Sequence, residues 1–179
     1  MANKLSIRLS GTGGQGIILG GIILAEAAIL DGKEVVQTQS YGPEARGGAS
    51  KAEVIISDET IKYPKVTTPE YLLLMSQEAA RIYASNIKED GLIVVDNSIV
   101  AELPQVKAKI VKVPVSQLAR EEIGNELTAN ILAVGALASA GNIVSLESLE
   151  KAVSLRLPKV AQLNIKALKL GWDWGQKGD

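Results

Sequence analysis

The sequence predicts an α/β domain, an open and mostly parallel sheet with helices on both faces. Three observations carry this. A short alternating run, Leu5-Ser6-Ile7-Arg8-Leu9, is joined by Ser10-Gly11-Thr12-Gly13-Gly14-Gln15-Gly16 to a long proline-free apolar stretch, Ile17 to Leu30. That order reads as strand, glycine turn and buried helix. Two further runs of strand length, Tyr71–Met75 and Gly91–Asp96, are almost wholly apolar, as suits strands covered on both faces. Helical spacings and turn residues separate these runs, which is the alternation of a Rossmann-like, doubly wound sheet. At 179 residues and 46% hydrophobic, the chain 1–179 reads as a single domain with a substantial core.

Taken in order, Gly32 stops the first helix, and Glu34–Gln39 reads as a second strand. A loop rich in Gly and Pro follows, from Ser40 to Ser50, before a third strand over Lys51–Ser57. Ile61–Pro64 reads as a short edge segment broken by Pro64 and Pro69. After the run at Tyr71, a helix is expected from Ser76 or Gln77 through Ile87, with Ala79, Ile82, Tyr83 and Ile87 at helical spacing. Lys109–Pro114 is a further strand, followed by a short helix over Val115–Ile123. Thr128–Ala138 is a helix of small residues able to pack closely, with Asn130 its polar exception, either an interior hydrogen-bonding residue or a ligand contact. Ser145 is the expected N-cap of the next helix. A last amphipathic helix should end near Leu170-Gly171, leaving Trp172 and Trp174 in a tail that either docks on a partner or packs over the domain edge.

Composition narrows the chemistry. A net charge of −1 gives no reason to expect nucleic acid or a membrane surface as partner. The amino terminus lacks a secretory pattern, and Ile17–Leu30 is too short and too interrupted to span a bilayer, so the expected address is cytoplasmic. The sequence contains no Cys and no His. Disulfides, cysteine-held iron–sulfur clusters and thiolate nucleophiles are therefore excluded from this chain. The commonest general base and metal ligand are missing too. No residue is assigned a catalytic proton-transfer or nucleophilic role, and no metal site is expected.

Gly11, Gly13 and Gly16 have the G-x-G-x-x-G spacing. A glycine turn at a helix start leaves backbone N–H groups pointing outward and lets a phosphate approach closely. Dinucleotide sites usually add an Asp or Glu at the end of the second strand to hold the ribose. This chain has Gln37, Thr38, Gln39 and Ser40 there, which argues against NAD. Asp96-Asn97-Ser98, at the carboxyl end of another strand, is either a turn, the foremost reading, or a ligand contact. The loop after the second strand should gather at the same sheet edge as the glycine turn. Its Arg46, beside Gly47 and Gly48, either addresses a phosphate there or pairs with Glu44 at the surface.

The G-T-G-G-Q-G turn, the Q-S-Y-G-P-E-A-R-G-G loop, the segment Asn130–Leu137 and the ending Asn164–Leu168 together resemble the gamma subunits of the 2-oxoacid:ferredoxin oxidoreductases. The likeness runs from about Lys4 to Trp172 and is greatest to the 2-oxoglutarate type, with the pyruvate and branched-chain (ketoisovalerate) types close behind. The resemblance implies a non-autonomous subunit of a complex that oxidatively decarboxylates a 2-oxoacid, forms an acyl-coenzyme A and reduces ferredoxin. It places thiamine diphosphate, Mg and the iron–sulfur clusters on alpha, beta and delta-type partners, and leaves room for a homodimer contact. It also implies a share in coenzyme A binding and in assembly. Carried over position by position, the coenzyme A residues would be Gly11, Thr12, Gly13, Gly14, Gln15 and Gly16, with Tyr41, Glu44, Arg46 and Gly47 on the second loop. The fused enzymes of the family have lysines where this chain has Glu44–Arg46. Coenzyme A carries a diphosphate and a 3′-phosphate, which suits an Arg-bearing pocket without a ribose carboxylate better than NAD does. Two rivals remain: an NAD(P)-dependent oxidoreductase, and a purely structural subunit whose turn docks a partner loop.

Overall fold

The computed structural model describes residues 4–40 and 48–178. The chain runs β1 (Lys4–Thr12), α1 (Ile17–Leu30), β2 (Glu34–Ser40), β3 (Ala49–Ser57), β4 (Tyr71–Leu74), α2 (Gln77–Tyr83) and β5 (Leu92–Asp96). It continues with β6 (Lys109–Val113), α3 (Val115–Leu118), α4 (Ala129–Gly141), α5 (Leu146–Arg156) and α6 (Ala161–Lys177). The strands form one six-stranded sheet in the order β2-β3-β1-β4-β5-β6. β1, β4, β5 and β6 are parallel, while β3 runs antiparallel between β1 and β2. β2 therefore points the same way as β1. The carboxyl ends of β1, β2, β4, β5 and β6 share one edge of the sheet.

Alternation along the strands builds two cores. Ile7, Leu9, Val54, Leu73, Val94 and Val111 face a large core formed with α1, α4, α5 and α6. Leu72, Leu74, Ile93 and Val95 face a smaller one formed with α2. Both faces are covered, unequally. On the α2 face, Arg8 and Glu53 are 4% and 8% exposed, and Arg8 Nε donates to Glu53 Oε1 at 2.8 Å. The rest of the guanidinium donates to Asn86 Oδ1 and the Val66 carbonyl and lies 5.1 Å from the Tyr83 ring. This pair ties the segment before β4 and the end of α2 to the sheet.

The interlocking helices α4 and α6 carry the last helix past its expected end near Gly171 and pack both tryptophans over the domain edge, one of the two readings open for them. A Cβ on Gly171 would fall 1.8 Å from the Leu132 carbonyl oxygen, and one on Gly135 would fall 2.3 Å from that of Leu168. Glycine here is a contact surface, not a stop signal, so α6 continues through it to Lys177. Trp172 and Trp174 pack against the main core, and the Trp172 carbonyl accepts from Ser139 Oγ at 2.7 Å.

Other boundaries differ for local reasons. β1 extends to Thr12 because Ser10, Gly11 and Thr12 continue the ladder opposite Lys51, Ser50 and Ala49. α2 ends at Tyr83, short of Ile87: Asn86 N–H bonds back to Tyr83, and Lys88 N–H turns to the Pro69 carbonyl. Residues 61–64 form no strand. The expected helix over Val115–Ile123 begins as α3 and widens into a π-turn, Ala119–Ile123, closed by Gly124 at φ 80°. Ser145 caps α5 as expected, accepting from Ser148 N–H at 3.2 Å.

Candidate functional site

The turn between β1 and α1 is held from two sides. Gln15 folds back over it: its Oε1 accepts from Thr12 N–H at 2.8 Å, and its Nε2 donates to the Met75 carbonyl at the end of β4, also at 2.8 Å. From α4, Asn130 Nδ2 donates to the Gly16 carbonyl at 3.0 Å. Asn130 is thus the interior hydrogen-bonding residue of the two readings open in the sequence. Gln15, expected as a ligand residue, has its amide oxygen and one amide hydrogen engaged inside the chain.

Glycine serves different ends along the turn. Gly16 caps α1 in the left-handed region at φ 73°, and a Cβ there would fall 2.4 Å from Asn130 Nδ2. Gly11 is closed in by Gln15 and Met75. Gly13 has an ordinary φ, is exposed and has nothing within 4 Å of where a Cβ would stand. Its backbone is open to whatever approaches. The first N–H groups of α1, from Ile17 to Leu19, have no intrahelical acceptor and carry the positive end of the helix dipole.

A cleft of about 470 Å³ lies between the turn and the ends of β5 and β6, lined by Gly14, Gln15, Gly16, Ser98, Ser116 and Arg120 among others. A second, of about 620 Å³, lies on the other side of the turn, along Thr12, Gly13, Ile18, Ile22 and Ser50. A larger concavity, about 990 Å³, lies against β5 and β6 under the Val100–Lys107 segment and shares no residue with the turn. Size does not choose the site here; converging polar groups do.

The far wall of the first cleft is built on Asp96, which is fully buried. Its Oδ1 accepts from Ser98 N–H at 3.1 Å and Ser98 Oγ at 2.5 Å; its Oδ2 accepts from Ser116 N–H at 3.1 Å and Ser116 Oγ at 2.5 Å. One carboxylate thereby fixes the ends of two neighbouring strands. Ser116 carries no motif that could have flagged it. Arg120, also on this cleft, pairs with Glu126 at 3.2 Å, with both side chains largely exposed.

Tyr41, Glu44, Arg46 and Gly47 lie outside the described residues. Their flanks place the loop's ends at the same edge, since Ser40 closes β2 and Ala49 pairs with Thr12. No carboxylate stands at the end of β2, whose last residues are Gln37 to Ser40. Among the described residues no three His, Cys, Asp or Glu side chains gather to hold a metal, and no helix is long and apolar enough to cross a membrane.

A mostly parallel α/β sheet with a braced glycine turn at its carboxyl edge defines a class of ligand-binding or partner-docking domains. Within that class, the family model "Pyruvate ferredoxin/flavodoxin oxidoreductase" matches residues 6–174. The chain belongs to this family, as a gamma-type subunit. It is 52% identical over 174 residues to the 2-oxoglutarate synthase subunit KorC of Methanocaldococcus jannaschii, covering 95% of this chain and 93% of that protein. The keto/oxoacid ferredoxin oxidoreductase gamma subunit of Geobacter sulfurreducens superposes with a TM-score of 0.87 at 44% identity, covering 97% and 99% of the two chains. The 2-oxoglutarate:ferredoxin oxidoreductase of Magnetococcus marinus, solved with 2-oxoglutarate, coenzyme A and succinyl-CoA bound, gives a TM-score of 0.87 at 26% identity. There the likeness covers 97% of this chain but 31% of the longer one.

Proposed function

We propose that the chain is the gamma subunit of a 2-oxoglutarate:ferredoxin oxidoreductase and that it supplies part of the coenzyme A site and an assembly surface. The complex would convert 2-oxoglutarate and coenzyme A to succinyl-coenzyme A and carbon dioxide, with the electron pair passing to ferredoxin. Thiamine diphosphate, Mg and the iron–sulfur clusters belong to alpha, beta and delta-type partners in this reading, in keeping with a chain that has neither Cys nor His. The near full-length likeness to KorC supports the substrate class.

One observation supports the coenzyme A role above the others. The exposed Gly13 backbone stands at the amino end of α1, on an edge where β2 offers no ribose-reading carboxylate. A diphosphate is the chemistry that such a turn accepts. Gly14, Gly16 and the first turn of α1 would donate to it, Gln15 and Asn130 would hold the turn in shape, and Arg46 would add charge from the second loop. Coenzyme A brings the thiol that accepts the acyl group; this chain's part is to bind and orient it.

The experiment is a pull-down of the tagged chain from its native extract, followed by dye reduction with 2-oxoglutarate. Coenzyme A-dependent turnover, with larger subunits showing iron–sulfur absorbance, is the expected result. A chain that comes down alone and binds NAD tightly would overturn the reading.

A further inference from the structure

The cleft beside the glycine turn has two walls of opposite hydrogen-bonding character. On the turn side stand Gly14, Gln15, Gly16 and Leu19, where the first N–H groups of α1 have no intrahelical acceptor and are free to donate to an anion. On the other, Ser98 and Ser116 both spend their hydroxyl protons on Asp96. A serine hydroxyl has one proton and two lone pairs. With the proton committed to a carboxylate that can only accept, each oxygen can only accept from the cleft. Ser98 is exposed and Ser116 half-buried, so a ligand reaches both. Both serines line the same cleft as Gly14, Gln15 and Gly16.

A ligand laid from the turn to the two serines, beside the Arg120–Glu126 ion pair that also lines the cleft, is therefore matched by an anion at one end and N–H donors at the other. We propose that Ser98 and Ser116 are binding residues that accept from the secondary amide N–H groups of the pantetheine arm of coenzyme A, while the turn holds its diphosphate. This rests on the coenzyme A reading above. Asp96 is the positioning residue: it aims both hydroxyl protons away from the cleft and fixes the two strand ends against each other.

The test uses the assembled oxidoreductase carrying Ser98→Ala and Ser116→Ala, singly and together. The readouts are the KM for coenzyme A, the KM for 2-oxoglutarate, and the inhibition constant of S-methyl 4′-phosphopantetheine, which keeps the amides and lacks the adenine. The KM for coenzyme A and the inhibition constant should rise in parallel, about five-fold for each lost bond. kcat and the KM for 2-oxoglutarate should hold, and Ser98→Thr and Ser116→Thr should restore binding. Asp96 keeps its two backbone donors in the alanine variants, so the strand ends stay joined. An unchanged KM for coenzyme A overturns the proposal. So does a rise that the phosphopantetheine does not share, which would assign the acceptors to the adenine amino group, or a general loss that Thr does not rescue. A Gly13→Val variant separates the two levels. If it raises the KM for coenzyme A and the serine variants do not, this proposal alone fails; if neither does, the coenzyme A reading fails as well.

Discussion

Asn130 reaches from α4 to donate to the carbonyl of Gly16, and the same approach leaves no room for a side chain at residue 16. The glycine turn and α4 are thus built as one piece: a hydrogen bond that fixes the cap of α1 also requires the cap to be glycine.

Gly16→Ala should be costly and Gly13→Ala should not. The first places a Cβ in the left-handed region and 2.4 Å from Asn130 Nδ2. We expect a loss of about 1–3 kcal/mol in chemical denaturation, the usual cost of strained backbone. Gly13→Ala meets nothing and should stay within about 0.5 kcal/mol of the parent.

Arg8 and Glu53 make a pair whose halves depend on each other. Arg8→Met leaves Glu53 buried without the guanidinium, with the half-buried Lys51 ammonium 3.3 Å away. Thermal or chemical unfolding should show a loss of about 3–5 kcal/mol for either single change. The double variant Arg8→Met with Glu53→Met should lose less than the sum, because no unpaired charge remains.

Asp31, at the end of α1, gives a pH prediction. Burial pushes its carboxyl up, but hydrogen bonds from the Ser148 and Ser145 hydroxyls and the Ser145 N–H, with Lys33 nearby, outweigh this and hold it below its ordinary 3.8. A folded value lower than the unfolded one stabilises above the unfolded value, and the gain is lost as pH falls through the folded one. Asp31→Asn should lower the midpoint of unfolding near neutral pH. The gap from the parent should shrink as the solution is acidified below pH 3.8. A gap independent of pH would contradict it.

The sequence made the turn legible because glycine spacing and an apolar helix are local signals. It also made the Asn130 anomaly visible, since a polar residue inside an apolar helix needs a partner. It misread Gly171 as a stop, because a glycine admitted for a close helix crossing looks the same in one dimension as one that ends a helix. Asp96 and Ser98 stood out as a strand-end turn, but the part that Ser116 plays in their wall was hidden for a related reason. Ser116 lies 20 residues from Asp96 and meets it only because β5 and β6 pair in parallel with their ends aligned. The antiparallel β3 was likewise unreadable, since its alternation does not state its direction.

The central claim, that the open stretch of the turn receives coenzyme A, is tested most directly by the KM for coenzyme A of the assembled enzyme carrying Gly13→Val. The account predicts a rise of about ten-fold or more, the effect of losing one or two charge-assisted bonds, with an unchanged KM for 2-oxoglutarate and intact assembly. An unchanged KM for coenzyme A, or a complex that falls apart while its residual activity keeps the parent KM, would contradict it and leave the turn as a docking surface.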